Sequence, residues 1–328
     1  MKKALSLQSK CIKLMKKVVF TTFFCLSTAL LCAQESETAY NFLRLPVSAH
    51  AAALGGDNIT ITDDDASMGF HNPALLSGVS DKTINLNFMS YMEGAKTASA
   101  SFAKALRERA TWFVGAQYID YGKMKHTTAS GEILGEVTAK DIMLCGAFEY
   151  NLTNQLSGGI TAKFITSDLA GYNSLAVGVD LGLNYYDSDH DLSISAVARN
   201  LGGQIKAYED DFEKIPLDLQ LGISKRILES PIRLSLTMTR LNEWKGSFAN
   251  HFVLGADILL SENIYIAGGY NFRRADEMKI SDAEGSSSHG AGLSLGAGIQ
   301  LQRFKLQLAY GKYHVSASSI NINLSYVL

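Results

Sequence analysis

Cysteine, basic charge and long apolar runs are all scarce in this chain, and each scarcity removes a class of explanation. Of four cysteines, Cys11, Cys25 and Cys32 fall within the first 33 residues and Cys145 stands alone in the remainder. No internal disulfide is then available, so a small cross-linked secreted scaffold is excluded. A mature chain of nearly 300 residues must be held by other means, such as a closed sheet. The same 33 residues contain six lysines and no acid, which leaves 24 Lys+Arg against 32 Asp+Glu. That acidic balance argues against a nucleic-acid partner. The one sustained apolar run, Val18 to Leu31, follows Met15-Lys16-Lys17 and leads through Cys32-Ala33 to Gln34. It is too short and wrongly flanked for a stable spanning helix, and it reads as a secretory signal peptide over residues 1–33, cut after Ala33, with Met15 as an alternative initiator. A lipoprotein reading through Cys32 is disfavoured because Leu30-Leu31 replaces the small residue that lipidation prefers.

What the chain does have is alternation. Past residue 82, segments of about ten residues carry an apolar side chain at every second position, the period of a strand and not of a helix. Leu175, Val177, Val179, Leu181, Leu183 and Tyr185 alternate with Ala176, Gly178, Asp180, Gly182 and Asn184; Ile232 to Met238 repeats the pattern, as do Ile320, Ile322, Leu324, Tyr326 and Leu328. The pattern predicts fourteen strands, near 83–92, 96–103, 110–121, 137–150, 156–166, 175–186, 191–201, 216–225, 231–240, 251–260, 263–273, 291–302, 303–313 and 319–328. An even count suits a bacterial barrel, and so does the parity of the connections. Long gaps at 122–136, 167–174, 202–215, 241–250, 274–290 and 314–318 alternate with short ones at 151–155, 187–190, 226–230 and 261–262. The short Glu93-Gly94-Ala95 is the exception among the outer loops.

A soluble β-sandwich is the competing explanation for alternating strands. Against it, the polar side of the strands is rich in Gly, Ser, Thr and Asn, as a polar lumen would be. The apolar side places Tyr150, Tyr185, Tyr270, Phe272, Tyr310 and Tyr326 near strand ends, as an interfacial girdle would. Hydrocarbon offers no water to backbone N–H and C=O groups, so a spanning sheet must close on itself. The expectation is therefore an all-β, 14-stranded antiparallel transmembrane β-barrel over residues 83–328, its last strand closing on the first. Tyr326 and Leu328 resemble an outer-membrane assembly signal, with Leu in place of the usual terminal Phe. Fourteen strands enclose more space than one layer of side chains fills. Residues 34–82 lack sustained alternation and are expected to form an N-terminal hatch inside the barrel.

Within that segment, Ala49 to Ala53 permit close packing against a wall, Gly55-Gly56 permit positive φ, Asp65 or Ser67 can cap a short helical turn, and Asn72-Pro73 begins another. The ordered motif Ser48-Ala49-x-Ala51-Ala52-Ala53-x-Gly55-Gly56, then Asp64-Asp65-Ala66, then Asn72-Pro73-Ala74-x-Leu76 resembles the PorV/PorQ family of the type IX secretion system. The opening Tyr40-Asn41-Phe42-Leu43-Arg44-Leu45-Pro46 lies on the PorQ side of it. The resemblance covers the whole mature chain. It implies a fold similar to the outer-membrane long-chain fatty-acid transporters, a Gram-negative outer-membrane location with both termini periplasmic, and a role in an attachment complex with a PorZ-like surface protein, PorU and PorV.

Candidate chemistry is sparse. Asp63-Asp64-Asp65 lacks the alternating ligands and Gly of a calcium loop and reads as a solvated acidic turn or a helix start. The seven histidines (His50, His71, His126, His190, His251, His289 and His314) show no metal spacing. No Gly-x-Ser-x-Gly elbow occurs, so neither an enzyme nor a cofactor is expected. The expected partners are outer-membrane lipid and protein. Among the outer loops, 202–215 carries Tyr208, Asp210 and Phe212, whose aromatic side chains among acids could anchor a partner. Two functions stand: a barrel of the type IX system anchoring a surface partner, or, alternatively, an outer-membrane transporter for a hydrophobic small molecule, which would need an apolar pocket beside the hatch.

Overall fold

The computed structural model describes residues 38–328 apart from 107, 108, 129, 245, 283, 284 and 315. The signal peptide expected at 1–33 and the first residues of the segment 34–82 lie outside the described residues. Fourteen antiparallel strands close into one barrel. They are β1 Thr83–Ser90, β2 Lys96–Leu106, β3 Ala110–Thr127, β4 Ile133–Asn151, β5 Leu156–Leu169, β6 Tyr172–Asp187 and β7 Leu192–Lys206. The second half comprises β8 Asp218–Arg226, β9 Ile232–Met238, β10 Phe252–Ser261, β11 Ile264–Asn271, β12 Leu293–Leu301, β13 Phe304–Gly311 and β14 Ser319–Val327. Each matches a segment expected from alternation. Closure pairs β1 with β14 from Thr83 opposite Val327 to Ser90 opposite Ile320, and the Leu328 amide donates to the Lys82 carbonyl at 3.2 Å.

Alternation sorts the side chains as the period requires. On β6, Val177, Leu181 and Leu183 face outward and are exposed, whereas Ser174, Asp180 and Asn184 face inward and are buried. The outer wall presents apolar side chains around its whole circumference, from Leu86 on β1 through Val114, Leu144, Leu234 and Leu295 to Leu324 on β14. A continuous apolar belt of this kind is unsustainable in water, and a closed sheet leaves no edge unsatisfied in hydrocarbon. The wall is that of a membrane-spanning barrel of the outer-membrane type.

The wall is uneven in height. Strands β3 to β7 have 14 to 19 residues, whereas the other nine have 7 to 11. The extra length stands at the long-loop end, and it revises three expected loops, 202–215 among them because β7 pairs with β6 as far as Lys206. Most of 122–136 is a ribbon in which β3 and β4 continue to pair as far as Thr127 and Ile133. The expected loop 167–174 shrinks to a turn at Ala170-Gly171, because Asp168 pairs with Asn173 and Leu169 with Tyr172. The β3–β4 extension mixes charged and apolar side chains that are exposed on both faces, Lys123, Met124 and Lys125 against Ile133, Leu134 and Glu136, so outward alternation stops being diagnostic there. The loop 274–290 contains the end of a short helix, Phe272–Glu277, and a two-stranded hairpin, Ile280–Asp282 with Gly285–Ser287.

Candidate functional site

Residues 38–82 pack against the inward face of the wall. Their elements are short because the sequence keeps interrupting them: 3-10 turns at Asn41–Arg44, Ala66–Phe70 and Pro73–Gly78, and one helix, Ala49–Ala53. Each motif residue has a local task. The Ser48 hydroxyl accepts from the Ala51 amide at 3.3 Å and donates to Asp65 Oδ2 at 3.2 Å. Asp65 caps the next turn, accepting from the Ser67 amide at 2.9 Å. Asn72 Oδ1 accepts from the Ala74 amide at 3.0 Å, its Nδ2 donates to the Ile59 carbonyl at 3.1 Å, and Pro73 opens the turn where its missing N–H costs nothing. Asp64 accepts from the Ser80 amide at 2.8 Å, while its carbonyl takes Lys305 Nζ at 3.0 Å.

Wall and segment fit by small residues. Gly55 and Gly56 have φ of +103° and +106°, and a Cβ on Gly55 would strike the Val253 side chain of β10. Four strands further round the wall, a Cβ on Gly182 of β6 would strike the Asn72 amide oxygen. Ala49 is fully buried. The glycines on the inward face thus serve close approach more than polarity.

The inward face is also less polar than its sequence suggested. Phe42, Leu43, Val47, Phe70 and Leu76 of the segment pack on Phe113, Ile119, Met143 and Ile165 of β3 to β5, with the Phe70 and Phe113 rings edge to face at 5.1 Å. Near the long-loop end, Tyr40 stacks on Tyr208 at 6.2 Å, Tyr208 donates to Ser167 Oγ at 2.6 Å, and Tyr121 donates to Asp141 at 2.7 Å. Burial pushes the Tyr208 phenol up to about 12. Tyr208 therefore turns toward the lumen, which corrects its reading as part of an outward anchor. Asp210 and Phe212 of the same loop do face solvent, Phe212 at 66% exposure.

One largely buried ionic group ties wall to segment. Arg233 on β9 donates through Nη1 and Nη2 to both oxygens of Asp63 at 2.8 and 2.9 Å, and through Nε to Asp257 on β10 at 2.9 Å. His50 Nε2 meets the other Asp257 oxygen at 2.7 Å, and its ring stacks on Tyr265 at 4.0 Å. Burial opposes ionisation of Asp63, but the adjacent Arg233 guanidinium prevails and holds the carboxyl well below the usual carboxylate range. Asp63 to Asp65 are consequently not a solvated acidic turn: one is an ion-pair partner, one ties down Ser80 and one is a cap. Elsewhere Lys163 and Asp180 pair at 2.6 Å beneath Asn200, and Arg199 Nη2 donates to the Leu43 carbonyl at 2.9 Å. These partners lie far apart in sequence, and only the facing of inward charges could have signalled them.

At the short-turn end, cavities of about 520 and 570 Å³ flank the segment. The first is lined by Asp63, Glu262, Tyr265 and Lys305 among others, the second by Thr62, Ser77, Arg109 and Tyr186 among others. Among the described residues no group of three or more His, Cys, Asp or Glu gathers as a metal site.

No family model matches the chain, and no curated protein sequence does. Solved structures share its fold. The Pseudomonas putida toluene transporter TodX aligns over 86% of this chain and 98% of its own, with a TM-score of 0.56 and 13% identity. A Pseudomonas aeruginosa FadL homologue aligns over 85% and 98%, with a TM-score of 0.53 and 9% identity. The CymD monoaromatic hydrocarbon channel aligns over 86% and 97%, with a TM-score of 0.56 and 13% identity. The likeness is one of architecture: the chain has the fold of these fourteen-stranded, FadL-like barrels.

Proposed function

We propose that this outer-membrane barrel takes up a hydrophobic small molecule at its long-loop end and passes it beside residues 38–82, which plug the lumen against free flow of solutes. The observation that carries this reading is the apolar and aromatic packing between segment and wall, where Tyr40 and Phe42 of the segment meet Tyr208, Ile119, Met143 and Ile165, so that a shift of the segment would uncover an apolar path. A lumen lined only by polar groups would offer a hydrocarbon nothing. Barrels of the same architecture include a toluene transporter and a monoaromatic hydrocarbon channel. The short-turn end faces the periplasm in this reading, with the two flanking cavities as exits. Uptake of radiolabelled toluene into proteoliposomes tests it. Saturable uptake above that of protein-free vesicles is expected, and uptake equal to protein-free vesicles would sink the proposal.

A second reading follows the PorV/PorQ resemblance: the barrel anchors a surface protein of a type IX attachment complex, a PorZ-like partner working with PorU and PorV. Phe212, exposed among Glu209, Asp210, Asp211 and Glu213, favours it, because a large aromatic side chain standing in water is the usual core of a protein contact. Deleting residues 205–214 should leave the barrel inserted yet release the surface partner. Cells that keep the partner after the deletion would remove that loop from the account.

A further inference from the structure

Three arginines meet at the long-loop end of the lumen, and neither reading above uses them. Arg44 ends the first turn of the N-terminal segment, Arg240 follows β9 with φ of +53°, and Arg273 lies in the short helix after β11. Glu277, one turn beyond Arg273, stands 3.7 Å from Arg240 Nη1 and 3.9 Å from Arg273 Nη1. It therefore gathers two guanidinium groups by their Nη1 sides without satisfying the rest. Arg273 Nε and Nη2 are buried with no hydrogen-bond partner, and so are Arg44 Nε and Nη1. The Arg273 side chain is only 12% exposed. Burial lowers the proton affinity of both Arg44 and Arg273, and the charge of Arg240 lowers it further in each.

Of the nearby acids, Glu243 acts on Arg44 and Arg273 through its charge with no hydrogen bond to either, and two others are engaged elsewhere. Asp218 accepts from the Arg240 amide at 2.6 Å and from Gln220 at 2.7 Å, and Asp57 accepts from Asn271 at 3.3 Å. Buried guanidinium nitrogens without acceptors are costly, more so beside like charge. We infer that Arg273, with Arg44 and Arg240, holds a phosphate-type oxyanion at the long-loop end of the lumen. Nε and Nη2 of Arg273 form the side-on edge of the guanidinium, the fork that grips two oxygens at once. One carboxylate would be saturated by that fork alone. A phosphoryl group has further terminal oxygens for Arg44 and Arg240, so the donor count selects it. The source is either free phosphate or the phosphate of a lipid headgroup.

The test uses the full-length barrel in a maltoside detergent free of phosphate. Inorganic phosphate is titrated by calorimetry in one arm, and phosphatidic acid is added to the micelles and read by native mass spectrometry in the other. Phosphate binding identifies the free anion, and phosphatidic acid binding alone identifies the headgroup. Arg273→Lys keeps the charge and loses the fork, so it should weaken the bound species by about tenfold or more, as should Arg273→Gln. Arg226→Gln, at the opposite end of the barrel, should leave binding unchanged. A heat-modifiable band on gels verifies folding of each variant. Binding in neither arm, or Arg273→Lys binding as wild type does, would overturn the site. Toluene uptake is measured separately, so failure here leaves the hydrocarbon reading standing and failure there leaves this one.

Discussion

His71 should make the packing of residues 38–82 sensitive to acid. Its ring is 1% exposed, and Nε2 accepts from the amides of Val47 and Ser48 at 3.3 and 3.4 Å. The proton of the neutral ring then sits on Nδ1, which is buried without a partner. A second proton would have to go on Nε2, where two N–H donors already point. Burial, reinforced by Arg199 and Lys163, lowers the His71 pKa from the ordinary 6.5 to about 3. A folded-state value below the unfolded one means that stability is fully present above about pH 6.5 and is lost as pH falls toward 3. Each unit within that window costs at most about 1.4 kcal/mol, so acidifying from pH 6.5 to 4.5 should remove up to about 3 kcal/mol. Other carboxylates titrate in the same range, and His71→Gln isolates the histidine, since the Gln oxygen can accept from the same amides without gaining a proton. Amide hydrogen exchange at residues 47–76, followed by mass spectrometry from pH 7 to 4.5, should show protection falling faster in wild type than in His71→Gln. Equal pH slopes for the two proteins would refute the argument.

Other expectations follow from the same geometry. Arg233→Met leaves Asp63 and Asp257 without their shared cation and should destabilise the fold by about 3 kcal/mol, read as a lower urea midpoint of the heat-modifiable band. Gly55→Ala places a Cβ against Val253 at φ of +103° and should cost about 1–3 kcal/mol by the same assay. Leu308→Arg puts a charge on the outward face of β13, where Leu308 is 47% exposed. It should cost about 2–4 kcal/mol near the bilayer midplane and reduce the yield of assembled barrel in vesicles.

All fourteen strands were legible because each buries one face and exposes the other to lipid, a constraint that period two records directly in the sequence. Strand ends were less so: β3 and β4 run on to Thr127 and Ile133 above the apolar belt, where both faces are wet and alternation carries no signal. Caps could be read locally, since Ser48, Asp65 and Asn72 each act within three residues of themselves. The partners that make the lumen a site could not. Asp63 meets Arg233 across 170 residues, and His50 meets Asp257 across 207. Tyr208 reads as an outward loop residue until the height of β5 to β7 turns it back over Tyr40.

The most direct test of the account is single-channel conductance in planar bilayers, comparing the intact barrel with a variant lacking residues 39–79. If that segment closes the lumen, the intact protein should be nearly silent and the variant should conduct in discrete porin-like steps. Steps of the same size from both proteins would contradict the central claim.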